Sequence, residues 1–169
     1  MINSIKPYEL HNTQAPAYWQ VDILWLILAS SAQTGGSYTL LEEFCPQDSG
    51  ATPHYHDQDE AFTVLEGEIT FATDGEILEA VAGSFIWIPR GTVHSFRVKS
   101  ETAHVLNSYT PGGFERITVE LGEPAPQRVI PPKGRPMQGD REKMMKVMQD
   151  IGMHVVNEPD ILRPDSQSP

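Results

Sequence analysis

His54 and His56 lie two residues apart in the run Pro53-His54-Tyr55-His56-Asp57-Gln58-Asp59-Glu60. Alternate residues of a strand face the same way, so both imidazoles leave one face. Asp57-Gln58-Asp59 reads as a polar turn, and Glu60 opens the strand after it. His94 follows the tight turn Pro89-Arg90-Gly91-Thr92 and can reach the same face from another strand. Three imidazoles and a carboxylate form a mixed nitrogen and oxygen donor set for a divalent first-row metal. Iron, nickel, manganese, cobalt, copper and zinc all accept such donors, and one ion per subunit is expected. Three or four protein ligands on an octahedral ion leave positions for water, oxygen or a substrate, and that opening separates a catalytic site from a closed structural one.

These residues need strands to hold them. Ile23 to Ser30 reads as a strand buried on both faces, Gln33-Thr34-Gly35-Gly36 as a turn, and Ser37 to Phe44 as the next strand. Further strands are expected over Glu60 to Leu65, Ser84 to Ile88, His94 to Val98 and His104 to Tyr109. Glu68 to Thr73 and Glu76 to Ala80 flank Asp74-Gly75, a hairpin signal. About nine short strands with regular turns predict an all-β sandwich or barrel. After Pro111-Gly112-Gly113 the spacing of Phe114, Ile117 and Leu121 is helical, although the β-branched Thr118 and Val119 leave a strand reading open. Glu123 to Gln138 carries five prolines and reads as an extended linker. Asp140 can cap a helix from Arg141 to Ile151, with Met144, Val147, Met148 and Ile151 on one stripe. The expected organisation is an N-terminal arm over 1–20, a barrel over 21–112, an extension packed on it over 113–162, and a tail over 163–169.

Composition narrows the function. The 169 residues suffice for one domain. The 14 prolines and 13 glycines argue against a helical bundle. The net charge is −11, and residues 1–89 hold one base, Lys6, against 13 acids. Such a surface repels phosphate backbones and anionic lipid, so neither nucleic acid nor membrane is an expected partner. The longest apolar run, Ile23 to Ala29, is far short of the ~20 residues a membrane helix needs. The first residues lack a basic and apolar leader, so a cytoplasmic protein is expected. Cys45 is the single cysteine, which rules out an intramolecular disulfide and a cysteine-based zinc site.

The run Pro53 to Glu60, followed by Gly67, resembles the first cupin motif. Gly83-Ser84-Phe85-Ile86-Trp87-Ile88-Pro89-Arg90-Gly91-Thr92-Val93-His94 resembles the second. The resemblance implies a double-stranded β-helix, a jelly-roll barrel with the metal inside, held by His54, His56, Glu60 and His94. Two positions depart from the family pattern: Asp48 stands where a glycine is usual, with Gly50 nearby, and Val98 where an asparagine is frequent. Gly35-Gly36-Ser37-Tyr38, Glu60 to Gly67, Thr110 to Glu115 and the terminal helix ending in Gly152 are similar to small quercetin dioxygenase-like cupins. Many of these have tyrosine where this chain has Thr63.

That likeness implies a metal-dependent dioxygenase acting with O2 on a flavonol-like or other small enolisable substrate, with Glu60 accepting the substrate's hydroxyl proton. The residues themselves leave open a metal-containing binding or sensor domain without turnover, and a cupin isomerase or decarboxylase. Tyr38, Phe62, Phe71 and His104 are the expected substrate contacts. If Tyr38 and Leu40 face the barrel, Glu42 shares their parity and is a pocket acid. A homodimer is expected, with Tyr18, Trp19 and the Met144/Met148 stripe available to cover sheet edges and an apolar face.

Overall fold

The computed structural model describes residues 5–133, 135 and 139–162. The expected tail over 163–169 lies outside them, as do four positions of the proline-rich linker. The chain forms β1 (Ala17–Gln20), β2 (Ile23–Ala29), α1 (Ser31–Thr34), β3 (Thr39–Pro46), β4 (His54–His56), β5 (Asp59–Glu66), β6 (Glu68–Thr73), β7 (Glu76–Val81), β8 (Phe85–Ile88), β9 (His94–Val98), β10 (Thr102–Thr110), α2 (Glu115–Leu121), β11 (Glu123–Pro124), α3 (Arg141–Asp150) and β12 (Met153–Val155). One sheet runs β11-β1-β2-β3-β10-β5-β8 and the other β12-β4-β9-β6-β7. Every pairing is antiparallel. The result is the expected all-β jelly roll, with short helices toward the C-terminal end. No helix among the described residues is long and apolar enough to cross a membrane.

Strand burial explains the sequence pattern. β5 and β10 alternate buried and half-exposed residues, because one face meets the interior and the other the outside. β2 is apolar on both faces for a different reason. Ile23, Trp25 and Ile27 look inward, while Leu24 and Leu26 pack outward under Leu10, Ala15 and Ala17 of the N-terminal segment. That segment is strapped down by Arg128, which donates from Nη1 to the Asn12 carbonyl (3.0 Å), and by Trp19 Nε1, which donates to the Val129 carbonyl (2.8 Å). The expected irregular arm therefore ends in a strand, β1, paired with β2. The expected Gln33–Gly36 turn is entered through the one-turn helix α1, with a capping box between Ser30 and Gln33 and a left-handed Gly35.

The interior divides into two apolar clusters. Phe62, Phe71, Phe96, Val64, Val98 and Cys45 fill one end. Leu41, Ile27, Tyr109, Phe114, Ile117, Leu121, Val147 and Ile151 fill the other, where α2 and α3 close the barrel. α3 starts at Asp140, whose carboxylate accepts from the Lys143 amide (2.9 Å). Its anchors Val147 and Ile151 are buried, each contributing about 1.5–3 kcal/mol of transfer free energy. Tyr18 and Met144 pack against this cluster within the same chain. These residues, expected to cover sheet edges and an apolar face, pack within the chain, and Met148 lines the cavity described next.

Candidate metal centre and cavity

β4 is three residues long, and its alternation sends His54 and His56 inward while Tyr55 stacks outside on His154, 4.7 Å between centroids. β9 pairs with β4 at one position, His54 opposite His94, which places the third imidazole beside the first, 4.2 Å between ring centroids. Glu60 comes from the other sheet, opposite Tyr109 on β10. The site thus bridges the two sheets. Arg90 locks its two halves together by donating from its backbone N (2.9 Å) and Nε (3.1 Å) to Asp59 Oδ1, and from Nη2 to Asp59 Oδ2 (2.8 Å). Those bonds, the side-chain one first, draw the Asp59 carboxyl down to about 2.

Each histidine has its tautomer set by the backbone. His54 Nδ1 lies 2.8 Å from the Thr52 carbonyl, His56 Nδ1 2.9 Å from that of Gln58, and His94 Nδ1 2.9 Å from that of Thr92. A carbonyl only accepts, so each Nδ1 carries the proton and each neutral ring presents its Nε2 lone pair. One ligand nitrogen from each of the three rings lies within 4.8 Å of the others. Glu60 Oε2 is 2.9 Å from His56 Nε2 and 3.0 Å from His94 Nε2, all three groups being buried. Electron pairs on imidazole nitrogens and on a carboxylate, facing one another at these distances, require a positive particle between them. A proton meets part of that need, and a divalent cation meets all of it, so the donor set fits the expected metal.

Burial dominates the electrostatics of each group. It pushes the His54 imidazole down to about 4, helped by the neighbouring His94. Burial also pushes the Glu60 carboxyl up, but the bonds and charges of His56 and His94 outweigh it and hold Glu60 well below the usual carboxylate range. His94 is lowered by burial and raised more by Glu60, ending above its usual value. Asn107 completes the cluster, its amide donating to Glu60 Oε1 and to the Tyr109 hydroxyl, both at 2.9 Å.

A cavity of about 400 Å³ opens on His54 and Glu60. Its walls are mostly apolar: Ile23 and Trp25 from β2, Phe114 and Ile117 at α2, Met148 from α3 and Met153 from β12. Asp22 sits in the lining, and among the described residues no lysine or arginine does.

The structure brings His54, His56, Glu60 and His94 together. It does not bring the expected substrate contacts to them. Phe62 and Phe71 pack on each other, 5.0 Å between centroids, inside the far apolar cluster. Tyr38 precedes β3 and is outside the cavity lining. His104 lies on the outer face of β10, stacked on Phe44 at 4.2 Å and paired with Glu42 at 2.7 Å. Thr63 also points outward, opposite Phe85. The parity assumed for β3 was the reason. Thr39, Leu41, Glu43 and Cys45 face inward, so the inward acid of β3 is Glu43 and not Glu42. Leu40-Leu41 and Phe44-Cys45 are apolar in both parities, because the N-terminal segment covers the outer face, and alternation could not choose between them. Asn107 was missed too. Its signal was available: a polar residue in register with Ala103, Val105 and Tyr109 on a strand whose inner face is otherwise apolar or aromatic.

With this geometry established, comparison with known proteins adds a family. Residues 40–109 match the Cupin domain family. Over 136 residues, 80% of this chain, the sequence is 30% identical to quercetin 2,3-dioxygenase of Bacillus subtilis (strain 168). The chain spans 40% of that relative's length. An RmlC-like cupin from Shewanella frigidimarina superposes with a TM-score of 0.58 at 14% identity, covering 65% of this chain and 96% of that one. The polyketide cyclase RemF from Streptomyces resistomycificus gives 0.54 at 22% identity, covering 62% and 80%. At such identities the two structures speak for the fold alone.

Proposed function

Residues 40–109 are a cupin domain, and on that premise we propose that the protein is a metal-dependent dioxygenase acting with O2 on a small, neutral, enolisable substrate of flavonol-like type. The observation that carries this reading is a cluster of three carbonyl-fixed imidazoles and an ionised Glu60 that meets, through His54 and Glu60, an apolar cavity with no cationic side chain among the described residues. His54, His56 and His94, with Glu60, would hold the metal, which when bound supplies Lewis-acid polarisation of a substrate oxygen and a place for O2.

The chain's own residues do the rest. Glu60 takes the proton of the substrate hydroxyl: the O–H bond breaks, the carboxylate gains the proton, and the electron pair stays on the substrate oxygen as an enolate. Glu60 is held below the usual carboxylate range and is therefore ionised before substrate arrives. Asn107 donates to Glu60 Oε1 and fixes its orientation. Trp25, Phe114, Ile117 and Met148 offer an apolar surface to a planar ring and exclude water. Asp22 and Glu60, with no lysine or arginine among the lining residues, disfavour carboxylate or phosphate substrates and so weigh against a decarboxylase acting on a dicarboxylate.

The test joins metal analysis of the purified protein to oxygen uptake with two panels, neutral hydroxylated aromatics and small dicarboxylates. Metal-dependent uptake with the aromatic set is the expected result. Turnover confined to dicarboxylates without oxygen consumption overturns the reading, and bound aromatics without uptake point to a binding domain. The assembly proposed is a homodimer through β8, an edge strand whose Phe85 and Trp87 are 65% and 58% exposed and which can pair antiparallel with a second copy. A monomer mass by light scattering at micromolar concentration overturns that part alone.

A further inference from the structure

Among the described residues, seven buried side-chain polar atoms have no hydrogen-bond partner, and four of them share one place: Trp25 Nε1, Glu43 Oε1, Glu43 Oε2 and Asn107 Oδ1. Trp25 and Glu43 are cross-strand neighbours on β2 and β3. Glu43 faces Val105 on β10, and Asn107 is the next inward residue of that strand. Asn107 sits close enough to Glu43 to affect its charge. All four atoms are shut off from solvent, and no hydrogen bond joins any of them to another group.

Counting donors and acceptors decides the state of Glu43. The Asn107 amide nitrogen is committed to Glu60 and Tyr109, which turns its carbonyl Oδ1 away from them. If Glu43 is ionised, the group holds three acceptor atoms and one donor, the Trp25 N–H. Two acceptors then stay unmet, one of them carrying charge in a dry layer shared with the Glu60 carboxylate. A buried unpaired charge is the most expensive outcome a core can hold. One proton on Glu43 removes the charge and supplies the missing donor. A rotation of the neutral carboxyl then allows the Trp25 N–H to donate to its carbonyl oxygen and its own O–H to donate to Asn107 Oδ1. Every atom of the set then has an available partner.

We propose that Glu43 is a neutral, protonated positioning acid that links Trp25 to Asn107 and thereby locks the Asn107 amide whose N–H holds Glu60. The proposal rests on Glu60 being the working carboxylate of the centre. Burial, the strongest influence on Glu43, raises its carboxyl to about 8, and the nearby Glu60 charge adds to it while Asn107 opposes. Without the lock, the Asn107 amide can turn over and aim its oxygen at the Glu60 carboxylate, which repels it.

The first measurement is infrared difference spectroscopy of the metal-free protein near neutral pH, wild type against Glu43→Gln. A protonated-carboxyl carbonyl band present in wild type and missing from the variant is expected. Loss of a carboxylate band instead overturns the proposal. The second measurement titrates Co2+ and records its visible spectrum. Glutamine keeps the carbonyl acceptor and puts an N–H donor where the O–H stands, with one N–H more, so Glu43→Gln should stay close to wild type in both affinity and spectrum. Glu43→Leu leaves Asn107 unlocked and should weaken Co2+ by about tenfold and shift the cobalt bands. A Glu43→Gln variant as impaired as Glu43→Leu overturns the positioning role. If Glu43→Leu does not fold, the Glu43→Gln results decide by themselves. Neither measurement needs turnover, so failure of the dioxygenase reading and failure of this one are separable: the infrared band reports on Glu43 whatever the reaction is.

Discussion

An imidazole binds a metal through a nitrogen that carries no proton, and in this protein three backbone carbonyls decide which nitrogen that is. Thr52, Gln58 and Thr92 act through main-chain atoms, so their side chains say nothing of the role. Removing one buried ring leaves two imidazoles and a carboxylate, a weaker donor set than the four groups together. His94→Ala should therefore lose most bound metal and, with it, the stability that binding adds. At a free metal concentration about a hundred times Kd that stabilisation is about 2.7 kcal/mol, or roughly 5–10 °C in Tm for a chain of this length. Metal per subunit and a melting curve check it; full metal content in the variant excludes the centre described. Glu60→Gln is a different experiment. Three imidazoles can hold a divalent ion without a carboxylate, and glutamine keeps an oxygen near the site but no basic group. Most metal should stay while turnover on an enolisable substrate falls by about 10²–10⁴. Parallel metal analysis and oxygen uptake separate the two, and undiminished uptake removes Glu60 from the role of base.

At the scale of elements, the loop between β3 and β4 sets where His54 enters the barrel. Its residues are pinned to β9: Asp48 N donates to the Val98 carbonyl (3.1 Å) and Val98 N to the Ser49 carbonyl (2.9 Å). That path puts Asp48 at φ +68°, the left-handed region, which explains why glycine is usual there and aspartate is tolerated. Gly50 answers a different demand, because a Cβ there would stand 1.9 Å from the Phe96 carbonyl oxygen. Gly50→Ala should displace the loop, destabilise by about 1–3 kcal/mol and lower metal affinity through His54. Asp48→Gly should be tolerated, with a change within about 1 kcal/mol, since relief of backbone strain opposes the added entropy of the unfolded chain. Urea unfolding of the two variants side by side checks the contrast. An Asp48→Gly protein weaker than Gly50→Ala would mean the loop is held by the Asp48 side chain and not by its backbone path.

The whole molecule folds around a polar layer between two apolar clusters, and its stability should depend on pH through that layer. Glu43 has a folded pKa raised to about 8 from a usual 4.5. The folded state therefore keeps a proton that the unfolded chain releases. The stability so contributed is full below about 4.5 and is lost as pH rises toward 8. The other titratable groups that interact with Glu43 are Glu60 from β5, Tyr109 from β10 and Cys45 on its own strand. Burial pushes both Tyr109 and Cys45 upward, so they stay neutral across this range, and Glu60 stays ionised. The metal-free protein should lose about 2–3 kcal/mol between pH 6 and pH 8 from this group, and Glu43→Gln should show a flatter profile. Urea midpoints at the two pH values test it; parallel profiles would assign the loss elsewhere.

The metal-ligand candidates were legible in the sequence because their signals are local. The spacing of His54 and His56 needs only strand periodicity, and the turns at Asp57–Asp59 and Pro89–Thr92 announce where Glu60 and His94 begin their strands. The all-β class was equally legible, because turn residues and short apolar runs recur along the chain. Helix α3 was too, since a cap, a stripe and a stop all lie within a dozen positions. What remained hidden was every feature set by packing between distant segments. β1, β11 and β12 are too short to carry a pattern and exist because a neighbour supplies their hydrogen bonds. The inward face of β3 depended on residues 10–17 covering the other side, so Glu42 and Glu43 could not be told apart by parity. Tyr38, Phe62, Phe71 and His104 are aromatic residues on or beside strands, but which of them meets the cavity is a question of strand order, and β2, α2 and α3 supply that wall instead. Residue type and spacing determined the donor set. Only the tertiary structure decided its second layer, because a hydrogen-bond partner far along the chain leaves no trace in the sequence around the residue it serves.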